Sequence, residues 1–259
     1  MKRNWLLVVG IISLAAVFAY RAYAIPFTHD EASTWLNYRY INVWSCISNP
    51  ACWGTANNHW LNTLLLQWSA SIFGEAAWAL RLPNVLAGFG YLICAALLCA
   101  RYTKNYALQC AGFLVLSAHV YLLDFFSLAR GYGLMASGVI WGLYALLRYI
   151  EKFELRWLLI SQFALSFAIL ANFTALLPWA AVLAGWFLWM VIKKKYSLLL
   201  LHGISWMVHS VILFSLLYFP IKTLAKSGEF AWGANNVWEM AKDLMVNLLY
   251  GARYFGTNR

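Results

Sequence analysis

The sequence predicts an all-α, polytopic membrane protein of about seven transmembrane helices, and three observations predict it. Hydrophobic residues make up 63% of the 259-residue chain and charged residues only 11%. Apolar runs near the roughly 20 residues that cross a bilayer as a helix recur along its length. The cations between these runs fall on alternate connections, the distribution that orients short cytoplasmic loops. A net charge of +10 would suit nucleic acid if it were gathered on one soluble face, but here it is spread over loops, so it reports topology and nucleic acid is excluded as a partner.

The first run, Trp5 to Ala24, follows Lys2-Arg3 like the front of a signal peptide. Its length makes it read as a retained signal anchor, with Arg21 snorkelling toward the interface. Six further runs follow: Ala77 to Ala100, Tyr106 to Leu123, Leu128 to Leu147, Trp157 to Ala171, Ala175 to Ile192 and Leu198 to Phe219. With the N-terminus inside, Arg101 and Lys104, then Arg148, Lys152 and Arg156, then Lys193, Lys194 and Lys195 all lie on the cytoplasmic side. Trp60 to Phe73 is also apolar, but counting it as a span would move those same cations outside. At 14 residues it is short for a span and suits an interfacial or re-entrant helix.

The chain is thus a single transmembrane domain, 1–259, whose first outer loop, 25–76, carries interfacial helices. A second outer segment, Pro220 to Arg259, contains Asn235-Asn236 and a candidate amphipathic stretch from Val237 to Tyr250. Cys94, Cys99 and Cys110 lie in or beside membrane helices, where cysteine behaves as a small hydrophobe. Cys46 and Cys52 stand in the outer loop, where an oxidising compartment permits a disulfide; the alternative is two separate thiols.

Three stretches project polar groups toward the outer face. The first is His29-Asp30-Glu31, two of only nine acidic residues in the chain, set side by side. Adjacent carboxylates at a membrane surface repel each other, so one of them tends toward a raised pKa and general-base chemistry; the alternative is that Thr28 or Asp30 caps the following helix. The second is Asn57-Asn58-His59-Trp60-Leu61, leading through Phe73-Gly74-Glu75 to Arg81-Leu82-Pro83. The third is Asp124, followed by Ser127 to Gly133 with Arg130 and Tyr132. Ionisable groups at the mouths of membrane helices are costly, which marks Asp124 and Arg130 as functional unless they pair with each other or face water.

The order and spacing of these motifs over residues 25–146 resemble the C-type glycosyltransferases, in particular the protein O-mannosyltransferases and the transferase that adds aminoarabinose to lipid A. The shared features are an early acidic pair, an Asn-His start to an apolar helix that ends in Phe-Gly-Glu, an Arg-Leu-Pro turn, and Arg130-Gly131-Tyr132 as an Arg-x-Tyr. The family usually has Pro after the His where this chain has Trp60.

The resemblance implies transfer of a sugar from a polyprenyl-phosphate carrier to an acceptor glycan, lipid or protein at the outer face, in a bacterial inner membrane. Asp30 would be the base, with Glu31 as its support, as the base in its place, or as a cation ligand; this leaves a divalent cation as the one open cofactor and the metal unassigned. Arg81 and Arg130 would bind the leaving phosphate, with His59, Asp124 and Tyr132 completing the substrate site; a helix-capping His59 is the alternative. Family members are commonly longer, so the C-terminal part is expected to be missing, as in a truncated chain, a fragment, or a minimal form completed by a second membrane chain. A lipid-linked sugar transporter or flippase and a non-catalytic assembly subunit are the rival readings. A transporter would place its polar groups near mid-span.

Overall fold

The computed structural model describes residues 5–47, 52 and 58–228, with isolated positions between 236 and 245. Asn57, Asn235 and most of the stretch from Val237 to Tyr250 lie outside the described residues. Among the described residues the chain is helical, without strands. The helices are α1 (Trp5–Ala24), α2 (His29–Tyr38), α3 (Trp60–Phe73), α4 (Ala77–Tyr102), α5 (Tyr106–Ser117), α6 (Val120–Ser127), α7 (Gly131–Lys152), α8 (Leu155–Ala171), α9 (Leu176–Ile192) and α10 (Tyr196–Lys226). α1, α4, α7, α10 and the segment Phe173–Ile192 that contains α9 are long and apolar enough to cross a membrane, and the chain is an integral membrane protein.

The seven predicted runs map onto these helices, but among the described residues five are long enough to span, or six if α5 and α6 count as one broken span: α8, at 17 residues, falls short, and α7 is shifted from the predicted Leu128 to Leu147. The third is broken: α5 and α6 meet at 61°, because His119 begins a new helix by accepting the Tyr121 N–H on its side chain. The seventh does not stop at Phe219; α10 continues through Pro220 to Lys226, so the segment expected to begin at Pro220 begins later.

α1, α4, α5, α6 and α7 share one apolar core. At its centre Phe18 of α1 and Phe126 of α6 meet over Gly88 of α4, where a Cβ would sit 2.8 Å from both side chains. α7, α8, α9 and α10 share a second core. α7 and α8 pack closely because Gly138 and Gly142 face α8 with no room for a Cβ, the small-x-x-x-small arrangement by which membrane helices approach. α7 ends in left-handed Phe153 and turns straight into α8.

α3 docks on α4 through a consequence of sequence. Pro83 has no N–H to give the Ala79 carbonyl one turn earlier, and the Ser69 hydroxyl of α3 takes that carbonyl at 2.5 Å. Below it, Cys46 and Cys52 are joined in a disulfide and pack with Val43, Trp60, Leu64 and Leu224 of α10. The loop before α3 is thereby tied to α10.

Candidate functional site

One end of the bundle gathers the C-terminus of α1, all of α2 and the N-termini of α3, α4 and α7. α2 begins with a capping box: Thr28 Oγ1 accepts the Glu31 N–H at 3.4 Å, and the Glu31 carboxylate accepts the Thr28 N–H at 2.9 Å. The capping alternative for this motif is therefore realised by Thr28, with Glu31 as its second half.

Glu31 does more than cap. It is fully buried with Arg81 of α4, which donates from Nε to Oε1 at 2.8 Å and from Nη2 to Oε2 at 2.7 Å. Arg81 spends its other N–H groups on the carbonyls of Ala22, Ile25 and Pro26, at 3.0, 2.7 and 3.0 Å. A guanidinium has five donors, and all five are engaged on the chain itself, partly on carbonyls left over at the end of α1. Burial by itself would raise the Glu31 pKa. The hydrogen bonds from Arg81, Ala129 and Thr28 and the charge of Arg81 outweigh it, holding this carboxyl below its ordinary value. The expected proton-hungry member of the acidic pair is thus not Glu31: each carboxylate has its own cation, so repulsion between the two is relieved.

Glu31 Oε1 also accepts the Ala129 N–H at 2.6 Å, while Asn62 of α3 donates to the Ala129 carbonyl at 3.2 Å. Asn84 of α4 donates to Asn62 Oδ1 at 3.0 Å and accepts the Leu134 N–H at 3.2 Å. The turn from Ala129 to Leu134 is therefore pinned at both ends by buried polar groups of α2, α3 and α4. Asn62 and Asn84 were not singled out in the sequence; their signal was an amide inside each of two apolar helices, where unpaired polarity is costly.

The pin places Arg130. Its Nη1 lies 2.6 Å from Asp30 Oδ2, and its guanidinium stands 5.1 Å from the Tyr132 ring centroid. This pair is accessible, the Asp30 side chain being 41% exposed and that of Arg130 25%. Tyr132 stacks on Phe125 and meets His59 edge to face at 5.6 Å. His59 is the N-cap residue of α3 but makes no side-chain cap bond. Its Nε2 is shut off from solvent with no partner, and burial, then the charge of Arg130, push its pKa down to about 4. Asp124 does not pair with Arg130 as the structural alternative had it; it forms an ion pair with Arg21 of α1, which is therefore held and does not snorkel alone.

The structure thus brings Asp30, Arg130, His59 and Tyr132 together, encloses Glu31 with Arg81 behind them, and places Asp124 in a separate pair. An apolar groove of about 500 Å³ runs between α3, α4 and α7, lined by Leu65, Trp68, Pro83, Leu86 and Leu134. Among the described residues no three His, Cys, Asp or Glu side chains gather as a metal site.

Compared with known proteins, the chain matches no family model, no curated protein and no solved structure.

Proposed function

We propose that the protein is a glycosyltransferase that moves a sugar from a polyprenyl-phosphate donor to an acceptor hydroxyl or amine, at the outer face of a bacterial inner membrane. The observation that carries this reading is the Asp30–Arg130 pair: an accessible carboxylate and guanidinium, brought from a hundred residues apart to 2.6 Å and backed by a fully buried pair. Asp30 takes the proton of the acceptor as its heteroatom forms the bond to the anomeric carbon. The anomeric carbon–oxygen bond breaks toward the phosphate, and polyprenyl phosphate leaves with the electron pair. Arg130 meets the charge that grows there, in a setting that Tyr132 and Phe125 keep partly dry. Arg81 has no donor to offer the donor phosphate, so the anion falls to Arg130 alone of the two arginines.

Neutral His59 supplies a hydrogen-bonding group beside the pair without adding charge. The groove between α3, α4 and α7, lined by Leu82 and Pro83 on α4 and Leu134 on α7, offers the polyprenyl chain an apolar bed. The Cys46–Cys52 disulfide supports placing this end in an oxidising compartment, as the cytoplasmic cations at the other end do.

The test is transfer from a synthetic polyprenyl-phosphate sugar by the full chain in proteoliposomes. Asp30→Asn should lower transfer by roughly 10²–10⁴-fold while donor binding stays, since amide and carboxylate are close in shape. Arg130→Ala should weaken donor binding. Transfer that survives Asp30→Asn, or a donor that binds Arg130→Ala as tightly as the wild type, overturns the assignment in favour of a carrier or an assembly subunit.

A further inference from the structure

Arg21, Arg39, Arg81, Arg101, Arg130 and Arg156 each face a carboxylate of their own. Among the described residues one arginine is left over, Arg148 of α7, at the end of the bundle opposite Asp30. Its guanidinium stands 5.0 Å from the Trp157 ring of α8, and Nε is closed off there without a partner, while Nη1 and Nη2 stay open. The nearest acids in sequence are already engaged: Glu151 accepts from Arg101 of α4 at 2.8 Å and Glu154 from Arg156 at 2.6 Å. Arg156 in turn stands 5.7 Å from the same Trp157 ring, and exposed Lys152 lies one turn beyond Arg148 on the same face of α7. The turn between α7 and α8 therefore keeps a surplus of positive charge, which falls on Arg148 and Lys152.

Depth restricts what can neutralise Arg148. The 22 residues of α7 make a rod about 33 Å long, and Arg148 sits four residues, about 6 Å, short of its end. Against a hydrocarbon core about 30 Å thick, that is the level at which headgroup phosphates meet acyl chains. A guanidinium cannot shed its proton, so a bare one at this depth is costly. Toward the membrane centre, Trp157 meets Tyr144 edge to face at 6.4 Å and Tyr144 meets Trp141 at 5.8 Å. These half-buried rings form an aromatic strip that leads from Arg148 along one face of α7.

We propose that Arg148 is the centre of a binding site for an anionic phospholipid, whose headgroup phosphate it holds and whose acyl chain lies on the Trp157–Tyr144–Trp141 strip. Nη1 and Nη2 form a fork that matches two phosphate oxygens, and Lys152 supplies a second positive charge. Basic clusters between membrane helices are recurrent seats for anionic headgroups. A phosphate free in solution is a poorer fit, since it gives up water to reach this depth and makes no use of the strip.

The test is native mass spectrometry of the full chain in detergent, titrated with phosphatidylglycerol, with phosphatidylcholine of the same acyl chains, or with glycerol 1-phosphate. The wild type should hold phosphatidylglycerol roughly tenfold more tightly than either of the others. Arg148→Gln should weaken that lipid roughly tenfold, and Arg148→Lys, which keeps the charge but not the fork, should fall between. Lys194→Gln removes one exposed cation from the neighbouring loop and should cost far less. Should Arg148→Gln fail to fold, the wild type decides: phosphatidylglycerol should raise its unfolding midpoint and phosphatidylcholine should not. Equal binding of the two lipids, glycerol 1-phosphate bound as tightly as the lipid, equal losses in Arg148→Gln and Lys194→Gln, or an Arg148→Gln that holds phosphatidylglycerol like the wild type would each overturn the proposal.

Discussion

Glu31 accepts the backbone N–H of Ala129 at 2.6 Å, and Asp30 and Arg130 are each one position along the chain from that bond. The buried carboxylate therefore sets the spacing of the exposed pair. Two neighbouring acids share a motif and divide the labour, one holding and one reachable.

This division gives the two acids opposite mutational signatures. Glu31→Gln leaves the Arg81 charge buried without a counter-ion and should cost about 3–5 kcal/mol of stability. Asp30→Asn breaks an accessible pair and should cost under about 1 kcal/mol. Thermal unfolding in detergent ranks them, and a destabilised Asp30→Asn beside an unaffected Glu31→Gln would contradict the arrangement.

The asparagine pair makes a second prediction. Asn62→Leu strips the Ala129 carbonyl and Asn84 Nδ2 of partners in a buried place, at a cost of about 2 kcal/mol or more. Because the turn before α7 loses one of its fastenings, transfer should also fall, in kcat more than in donor binding. A variant with wild-type unfolding midpoint would show that the turn is held without it.

His59 predicts a pH effect. Its pKa is lowered from 6.5 to about 4 in the folded chain, so as pH drops through that window the unfolded chain binds a proton that the folded chain refuses. Stability should fall by up to about 3 kcal/mol on this account, fully present above pH 6.5 and lost toward pH 4. In His59→Gln that share of the loss should vanish. Glu31, depressed from its ordinary 4.5, loses its share as pH falls below that value, so its window begins where that of His59 is ending.

Cys46 and Cys52 close a short loop, and replacing either with Ser should lower stability by about 2 kcal/mol. Their packing on Leu224 places the loss at the end of α10 as well, which limited proteolysis of the reduced protein would read as earlier cleavage there.

Topology is checked with an impermeant thiol reagent on intact cells. A cysteine at Tyr40, 83% exposed in the Asp30 end, should react at once, and one at Lys194 only after permeabilisation. Reaction at 194 from outside would invert the placement of the proposed site.

Much of the fold was legible because hydropathy runs and loop cations are properties of the chain itself: α1 begins and ends where the first run does, and α4, α8 and α9 lie within two residues of theirs. The motif residues were legible as types. Their roles were not, since Arg81 and Arg130 look alike in sequence. Only the surrounding carbonyls of Ala22, Ile25 and Pro26, which no spacing announces, show that Arg81 is fully engaged. Asn62 and Asn84 escaped notice for the same reason: the partner of a lone amide in an apolar helix lies on another helix.

The 61° bend between α5 and α6 bears on how the protein is made. Insertion machinery weighs the 106–127 stretch by its apolarity, and by that measure its two helices count together as one segment. The His119 cap starts the bend locally, and further holdfasts belong to other helices: Arg21 of α1 for Asp124, and the Gly88 notch of α4 for Phe126. The final seat of α6 thus depends on both α1 and α4. The residues of the 128–134 turn would accordingly be among the last to reach their places during biogenesis.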